Sequence, residues 1–150
     1  ELRTGVEQSL EVLKASASQK HIRLDNHVPK DIYLHADAMM FRSILQNLVT
    51  NAIKFTPEGG KNVIVSATRK GSGVEICVKD FGIGMSQKTK DVLFDKMNST
   101  SLAGTNSEKG TGLGLLLVRD FIVQHGGTIQ VESDEHTGTC FLFTLPAIEN

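Results

Sequence analysis

Cysteine, long apolar runs and excess charge are all scarce in this sequence, and each shortage excludes a class of protein. The two cysteines, Cys77 and Cys140, do not make a disulfide framework, and neither has Cys or His neighbours at metal-ligand spacing. We therefore expect two unpaired core residues in a reducing compartment. A formal net charge of −1 over 150 residues argues against a protein that binds nucleic-acid phosphates.

Segments that would direct the chain into or across a membrane are also missing. No apolar run approaches the roughly 20 residues that a membrane-spanning helix needs, and no signal peptide precedes the first helical pattern. The chain begins at Glu1 inside that pattern, so we expect a piece of a longer protein. Its size and its 39% hydrophobic content predict one domain over residues 1–150. We expect this piece to lie in the cytoplasm without membrane contact, even if the parent protein is anchored.

Hydrophobic periodicity divides the chain into helices and strands. Helical spacing predicts helices over 1–19, 38–54 and 112–125, with a short one over about 86–94. Alternation predicts strands over 21–28, 31–36, 61–70, 73–80, 128–133 and 138–146. Strands that come in adjacent pairs favour a two-layer α/β sandwich, with a mixed, mostly antiparallel sheet of about five strands and three main helices on one face. They argue against a doubly wound parallel sheet.

The second predicted helix carries a polar column on an otherwise apolar surface. Asn47 and Asn51 are four residues apart and Lys54 follows three residues later, so their side chains share one face. A buried amide without a partner costs about 1–3 kcal/mol, so this face meets water or a polar ligand. Asp37 is the predicted N-cap of the helix.

Two glycine-containing segments and one threonine add candidate ligand contacts. Asp80 ends an apolar strand, and Gly82 and Gly84 follow it, which offers a fixed acceptor and a backbone open to close approach. The glycines of 109–115 open a helix whose free N–H groups suit a phosphate. Their spacing is neither the dinucleotide fingerprint nor the P-loop. Taken singly, Asp80 with its glycines is also typical of a turn, and the glycines of 109–115 are also typical of a tightly packed helix start. Thr139 alone is typical of an ordinary strand.

The stretch 95–111 interrupts the periodic pattern. It is rich in Ser, Thr, Asn and Gly and has few apolar residues. That composition favours a mobile loop of functional type, such as a lid, although a passive surface loop has a similar composition.

The motifs in order, NxxxNAxKF, DxGxG, GTGLGL and GTxFxxxLP, resemble the ATP-binding catalytic domain of sensor histidine kinases, in the superfamily of DNA gyrase, heat-shock chaperones and mismatch-repair ATPases. The resemblance extends from the first helix to Pro146. It implies a Bergerat-type sandwich that binds ATP and Mg²⁺ between helices and a lid. The nucleotide contacts that it implies are Asn47, Asn51, Lys54, Phe55, Asp80, Gly82, Gly84, Lys109, Gly110, Thr111, Gly112, Leu113, Gly114 and Thr139.

The resemblance also implies a role for the main residues of this site. Asn51 would be the metal ligand, because an amide oxygen suits Mg²⁺ when the triphosphate already supplies negative charge. Lys54 would reach the phosphates as a point charge, and the amides of 110–114 would do so from the helix start. Asp80 would accept a hydrogen bond from the adenine amino group, which selects adenine over guanine, and Thr139 would lie near the base.

Asn47 occupies the position where the ATPase branches of the superfamily carry a glutamate general base. An amide cannot take up a proton at neutral pH, so we expect slow hydrolysis and transfer of the γ-phosphate to a histidine instead. None of the five histidines fits the acceptor pattern, so the acceptor and dimerisation helices are expected N-terminal to residue 1, with a response regulator as the later partner. The alternatives are an ATPase switch, a nucleotide-binding module without kinase activity, and a protein-serine kinase.

Overall fold

The computed structural model describes residues 1–59, 61–97, 111–134 and 138–147. The helices in these ranges are α1 (Leu2–Gln19), α2 (Ala38–Phe55), α3 (Gln87–Met97) and α4 (Thr111–Gln124). The strands are β1 (Arg23–Asn26), β2 (Asn62–Lys70), β3 (Gly73–Asp80), β4 (Ile129–Asp134) and β5 (Gly138–Pro146). These bounds match the predicted helices and the last four predicted strands closely, because each has a clear period and a turn signal at its ends.

The strands form one five-stranded sheet in the order β1-β2-β3-β5-β4. The pairs β2–β3, β3–β5 and β4–β5 are antiparallel, and β1–β2 is parallel. Helices α2 and α4 contact strands of this sheet, and α1 packs against α2 and β1. The predicted fold class, a mixed and mostly antiparallel sheet under helices, is confirmed.

Helix α2 lies at the centre of the core and positions the polar column. Its N-cap is Asp37, whose Oδ1 accepts from the backbone N–H groups of Met39 (2.9 Å) and Met40 (3.0 Å). The backbone N–H of Asp37 donates to Nε2 of His125 at 3.0 Å, which joins the start of α2 to the end of α4. The predicted apolar stripe is buried throughout: Ile44, Leu45, Leu48, Val49, Ala52 and Ile53.

The prediction of a strand over 31–36 is wrong. Strand β1 pairs with β2 in parallel instead, and 31–36 contributes only an isolated bridge from Leu34 to Ala147. The alternation in 31–36 has another cause: Ile32 is buried in the core, and its carbonyl accepts from the N–H of Leu2 at the start of α1. The alternation in 31–36 therefore reflects burial of one side against a helix and not pairing in a sheet.

The two cysteines also differ from expectation. The Sγ atoms of Cys77 and Cys140 are bonded to each other, and the described residues contain no free thiol. Both residues lie on the face of β3 and β5 that points away from Val78 and Phe141. The prediction of two unpaired core cysteines is therefore wrong, because spacing in the sequence carried no sign that β3 and β5 are neighbours.

Candidate nucleotide-binding site

Three neighbouring strands end their inward apolar rows with a polar residue at the same end of the sheet. The pairs Asp80–Thr139 and Ser133–Thr139 lie directly opposite each other in the β3–β5 and β4–β5 registers. The three residues are buried, with exposed fractions of 4% for Asp80, 4% for Thr139 and 9% for Ser133. Buried polar side chains in a row must be partnered, so this end of the sheet forms a polar floor, defined here as Asp80, Ser133 and Thr139.

Asp80 has one oxygen fixed by the protein and one left over. Its Oδ1 accepts from the backbone N–H of Gly82 at 2.9 Å and from that of Thr139 at 3.2 Å. Oδ2 accepts no hydrogen bond from the described residues. Burial raises the pKa of the Asp80 carboxyl, and the two N–H groups and Lys79 oppose that rise only in part. A buried carboxylate with a free oxygen is a strong acceptor for a donor group on a ligand.

The DFGIG turn fastens this floor to the end of α2. The N–H of Ile83 donates to the carbonyl of Phe55 at 3.3 Å. A Cβ on Gly82 would lie 2.9 Å from the carbonyl carbon of Phe55 and 3.1 Å from Oδ1 of Asp80, so only glycine fits there. Gly84 has a φ of +71°, a conformation that glycine adopts without strain. The predicted acceptor and the predicted helix column are thus joined through Phe55.

On α2, the amides of the column keep their oxygens available. Nδ2 of Asn47 donates to the carbonyl of Ser43 at 2.8 Å, which leaves its Oδ1 without a partner in the described residues. Half-buried Asn51 makes no side-chain hydrogen bond within those residues, and exposed Lys54 has its Nζ 5.7 Å from the ring centroid of Phe55. An amide oxygen is a hard, neutral ligand, so Asn51 fits a Mg²⁺ ion whose other ligands are phosphate oxygens and water.

A metal centre made of protein side chains alone is not present in the described part of the chain. No group of three or more His, Cys, Asp or Glu residues there is arranged to hold a metal ion.

The glycine-rich start of α4 lies on a helix that contacts α2. Helix α4 begins at Thr111, so 111–114 form its first turn, where backbone N–H groups have no intrahelical partners. That turn includes the predicted contacts Gly112, Leu113 and Gly114. Lys109, Gly110 and the predicted lid over 98–110 lie outside the described residues, whereas 95–97 continue α3 instead of starting a loop.

Ser133 is the polar-floor residue that sequence reasoning missed. Its Oγ accepts from the N–H of Met85 (2.9 Å), donates to the carbonyl of Gly138 (2.9 Å) and contacts Oγ1 of Thr139 (2.8 Å). Its carbonyl accepts from Nζ of Lys90 in α3 at 2.7 Å. The signal was present, because the alternation of β4 puts this serine on the inward face after two apolar residues.

Comparison with known proteins agrees with this fold. Residues 36–149 match the family described as histidine kinase-, DNA gyrase B-, and HSP90-like ATPase. The sensor histidine kinase WalK of Bacillus subtilis is 34% identical over 130 residues, which are 85% of this chain and 21% of WalK. The solved catalytic domain of histidine kinase ThkA superposes with a TM-score of 0.79 at 26% identity, over 97% of this chain and 91% of that one.

A second solved structure, full-length ShkA in complex with AMPPNP, superposes with a TM-score of 0.82 at 26% identity, over 100% of this chain and 31% of that one. The chain belongs to the family of histidine kinase-, DNA gyrase B- and HSP90-like ATPases, as its motifs predicted. It spans about a fifth of the length of WalK. In the described residues, no helix has the length and apolar character to cross a bilayer.

Proposed function

We propose that this chain is the ATP-binding catalytic domain of a sensor histidine kinase, working in the cytoplasm within a longer protein. It binds ATP with Mg²⁺ and transfers the γ-phosphate to a histidine on a separate phosphoacceptor and dimerisation domain of the same parent protein. A response regulator then receives the phosphoryl group. The observation that carries this proposal is the buried Asp80, whose Oδ2 accepts no hydrogen bond from the described residues and which is joined through Phe55 to the polar column of α2.

Asp80 is the group that selects the base. The exocyclic amino group of adenine is a donor, and it matches Oδ2, which has no partner in the part of the chain that the structure describes. Guanine presents an oxo group at the corresponding position, which would place two acceptors against each other in a buried site. Gly84 would let the base lie close to the backbone, whereas the missing Cβ of Gly82 admits the carbonyl of Phe55 and so holds the turn against α2. Phe55 would wall the pocket, and Thr139 lies beside Asp80 in the sheet register.

The phosphate end of the site lies between α2 and α4. Asn51 would hold Mg²⁺, which when bound neutralises phosphate charge, and Asn47, one turn before it, would line the same site. Lys54 adds a positive charge from the same face of α2. The free N–H groups of 111–114, together with Gly110 and Lys109, bind the phosphates from the start of α4. The C-terminal end of α2 and the N-terminal end of α4 would thus hold the triphosphate in line with the attacking nucleophile.

Asn47 makes transfer to a histidine a better outcome than hydrolysis. Its amide has no proton-accepting function, and its Nδ2 is already engaged with the carbonyl of Ser43. Water bound nearby would therefore lack the general base that an ATPase needs. An ATPase switch and a nucleotide-binding module without kinase activity are the alternatives, and the experiment below separates them from a kinase.

The test uses calorimetry and phosphotransfer on the 150-residue chain. We expect AMPPNP to bind only weakly without Mg²⁺ and more tightly with it. With labelled ATP, acid-labile label should accumulate on added acceptor helices of the parent protein and not on this chain. Label on a histidine of the chain itself would contradict the proposal, multiple-turnover hydrolysis without acceptor would support the ATPase switch, and binding without transfer would support the non-catalytic module.

Asn51→Ala should weaken the metal dependence of binding without changing base preference. Removing the amide oxygen deletes the one protein ligand proposed for Mg²⁺, and even outer contacts of a metal site contribute about tenfold in affinity. We expect the Mg²⁺ concentration for half-maximal stimulation of AMPPNP binding to rise about tenfold or more. Asn62→Ala removes an amide that bonds Asp25 instead and serves as the control. A change in ATP-over-GTP preference in Asn51→Ala would show that the assigned roles are wrong.

A further inference from the structure

The hydroxyl of Ser133 has its full complement of hydrogen bonds, and this fixes the direction of each one. A serine hydroxyl carries one proton and two lone pairs. The carbonyl of Gly138 can only accept, so the hydroxyl of Ser133 donates its one proton to that carbonyl. The N–H of Met85 can only donate, so it occupies one lone pair. The 2.8 Å contact with Oγ1 of Thr139 must therefore use the second lone pair, with Thr139 as the donor.

The proton of Thr139 is thus turned away from the base site and toward β4. Its Oγ1 keeps two lone pairs and has no other hydrogen-bond partner in the described part of the chain. Directly across the register stands Asp80, whose Oδ1 accepts from the N–H of Thr139 at 3.2 Å. Toward a ligand, the floor then offers a carboxylate oxygen and a hydroxyl that acts only as an acceptor.

We infer that Ser133 is a specificity-determining positioning residue that excludes 6-oxopurine nucleotides by holding the Thr139 hydroxyl as an acceptor. A free threonine hydroxyl could rotate and donate to an oxo group, which would offset part of the penalty that Asp80 imposes. With its proton held by Ser133, the hydroxyl cannot do so. The inference rests on the proposed function, since it concerns how the same site distinguishes adenine from other purines.

A role for Ser133 that is merely structural makes a different prediction. Ser133 also connects β4 to the segment before α3 and, through its carbonyl and Lys90, to α3 itself. Lys90→Met removes the second of these connections and leaves the hydroxyl network unchanged, so it reports what loosening α3 does to nucleotide affinity. A ratio of two affinities on the same variant is insensitive to the fraction of folded protein.

The experiment measures Kd for ATP and ITP by calorimetry on the 150-residue chain, since the base of ITP has a 6-oxo group and an N1–H where adenine has an amino group and an unprotonated N1. The wild type should prefer ATP clearly. Ser133→Ala should reduce the ATP-over-ITP preference about 3- to 10-fold, the range that one hydrogen bond contributes, mainly by tightening ITP. Ser133→Thr, which keeps a hydroxyl, should restore the preference, and Lys90→Met should leave it unchanged.

A double variant tests whether the effect passes through Thr139. In a Thr139→Val background there is no hydroxyl to release, so Ser133→Ala should no longer alter the ratio. Three results would each overturn the inference. The first is that Ser133→Ala changes the Kd for ATP and the Kd for ITP by the same factor. The others are an effect of Ser133→Ala that persists in the Thr139→Val background, and equal binding of the two nucleotides by the wild type. A wild type that binds neither nucleotide would instead refute the proposed function.

Discussion

ATP affinity should fall about 10- to 100-fold in Asp80→Asn, while the folded chain becomes more stable at neutral pH. The asparagine oxygen can still accept from the N–H groups of Gly82 and Thr139. The position of Oδ2 then becomes an NH₂ group, which meets the adenine amino group donor to donor. Hydrogen bonds to charged groups contribute about 1.5–3 kcal/mol, which sets the expected loss. Calorimetric titration with AMPPNP and Mg²⁺ measures it.

The gain in stability follows from the raised pKa of Asp80. Burial raises that pKa more than the two N–H groups and Lys79 lower it, so the folded state binds the proton more tightly than the unfolded state does. The stabilising contribution of Asp80 is therefore complete below its unfolded pKa and is lost as pH rises through its folded pKa. At neutral pH the buried charge costs stability, and a neutral asparagine removes that cost. Urea denaturation should show the variant's advantage at pH 7 and its disappearance in acid.

Asp25→Asn is the matched control, because folding shifts the pKa of Asp25 in the opposite direction from that of Asp80. Burial works to raise its pKa, but hydrogen bonds from Asn62 and Arg23 hold it below the usual value. A lowered pKa contributes stability above the unfolded pKa that is lost as pH falls through the folded one. Asp25→Asn should therefore lose stability at pH 7 and keep its ATP affinity. A similar loss of ATP affinity in both variants would mean that Asp80 is not the base-selecting carboxylate, and a stability change of the same sign in both would contradict the raised pKa of Asp80.

Local patterns were sufficient for the parts of the fold that local interactions determine. The stripe of α2 and its Asp37 cap could be predicted because helical period and capping depend on residues within a few positions of each other. The pairing of β1 could not, since Arg23 lies opposite Asn62 across 39 positions of sequence. A short alternating run looks the same whether it pairs in parallel, pairs in a hairpin or, like 31–36, packs one side against a helix.

The candidate site shows the same division. Asp80, Asn51 and the glycines stand in motifs whose order carries information, and the resemblance to a known family assigned them together. Ser133 stands in no such motif, and its importance depends on which residues face it in the sheet. A polar residue that ends an inward apolar row is nevertheless a usable signal, and Asp80, Thr139 and Ser133 all have it. Applied to each strand, that rule would have found the entire polar floor.

Gly138→Ala should cost about 3 kcal/mol or more of folding free energy. Gly138 has a φ of +108°, which an L side chain rarely adopts, and such strain costs about 1–3 kcal/mol. A Cβ there would also overlap the carbonyl of Asp80, with the carbonyl carbon and the Cα of Phe81 each 3.0 Å away. Backbone atoms on a neighbouring strand cannot rotate aside as a side chain can. Urea denaturation of the nucleotide-free chain measures the loss, which is large against a typical total of about 5–15 kcal/mol.

Gly71→Ala separates the two parts of this cost. Gly71 also has a positive φ, +62°, in the β2–β3 turn, but a Cβ there meets no atom within 4 Å. It should lose only the strain of a left-handed alanine, about 1–2 kcal/mol. The difference between the variants measures the close approach of β5 to the end of β3. Because Gly138 accepts from Ser133 and precedes Thr139, the Gly138→Ala protein that does fold should also bind ATP less tightly, whereas Gly71→Ala should bind it normally. Equal stability losses would mean that β3 and β5 have room to separate at the polar floor.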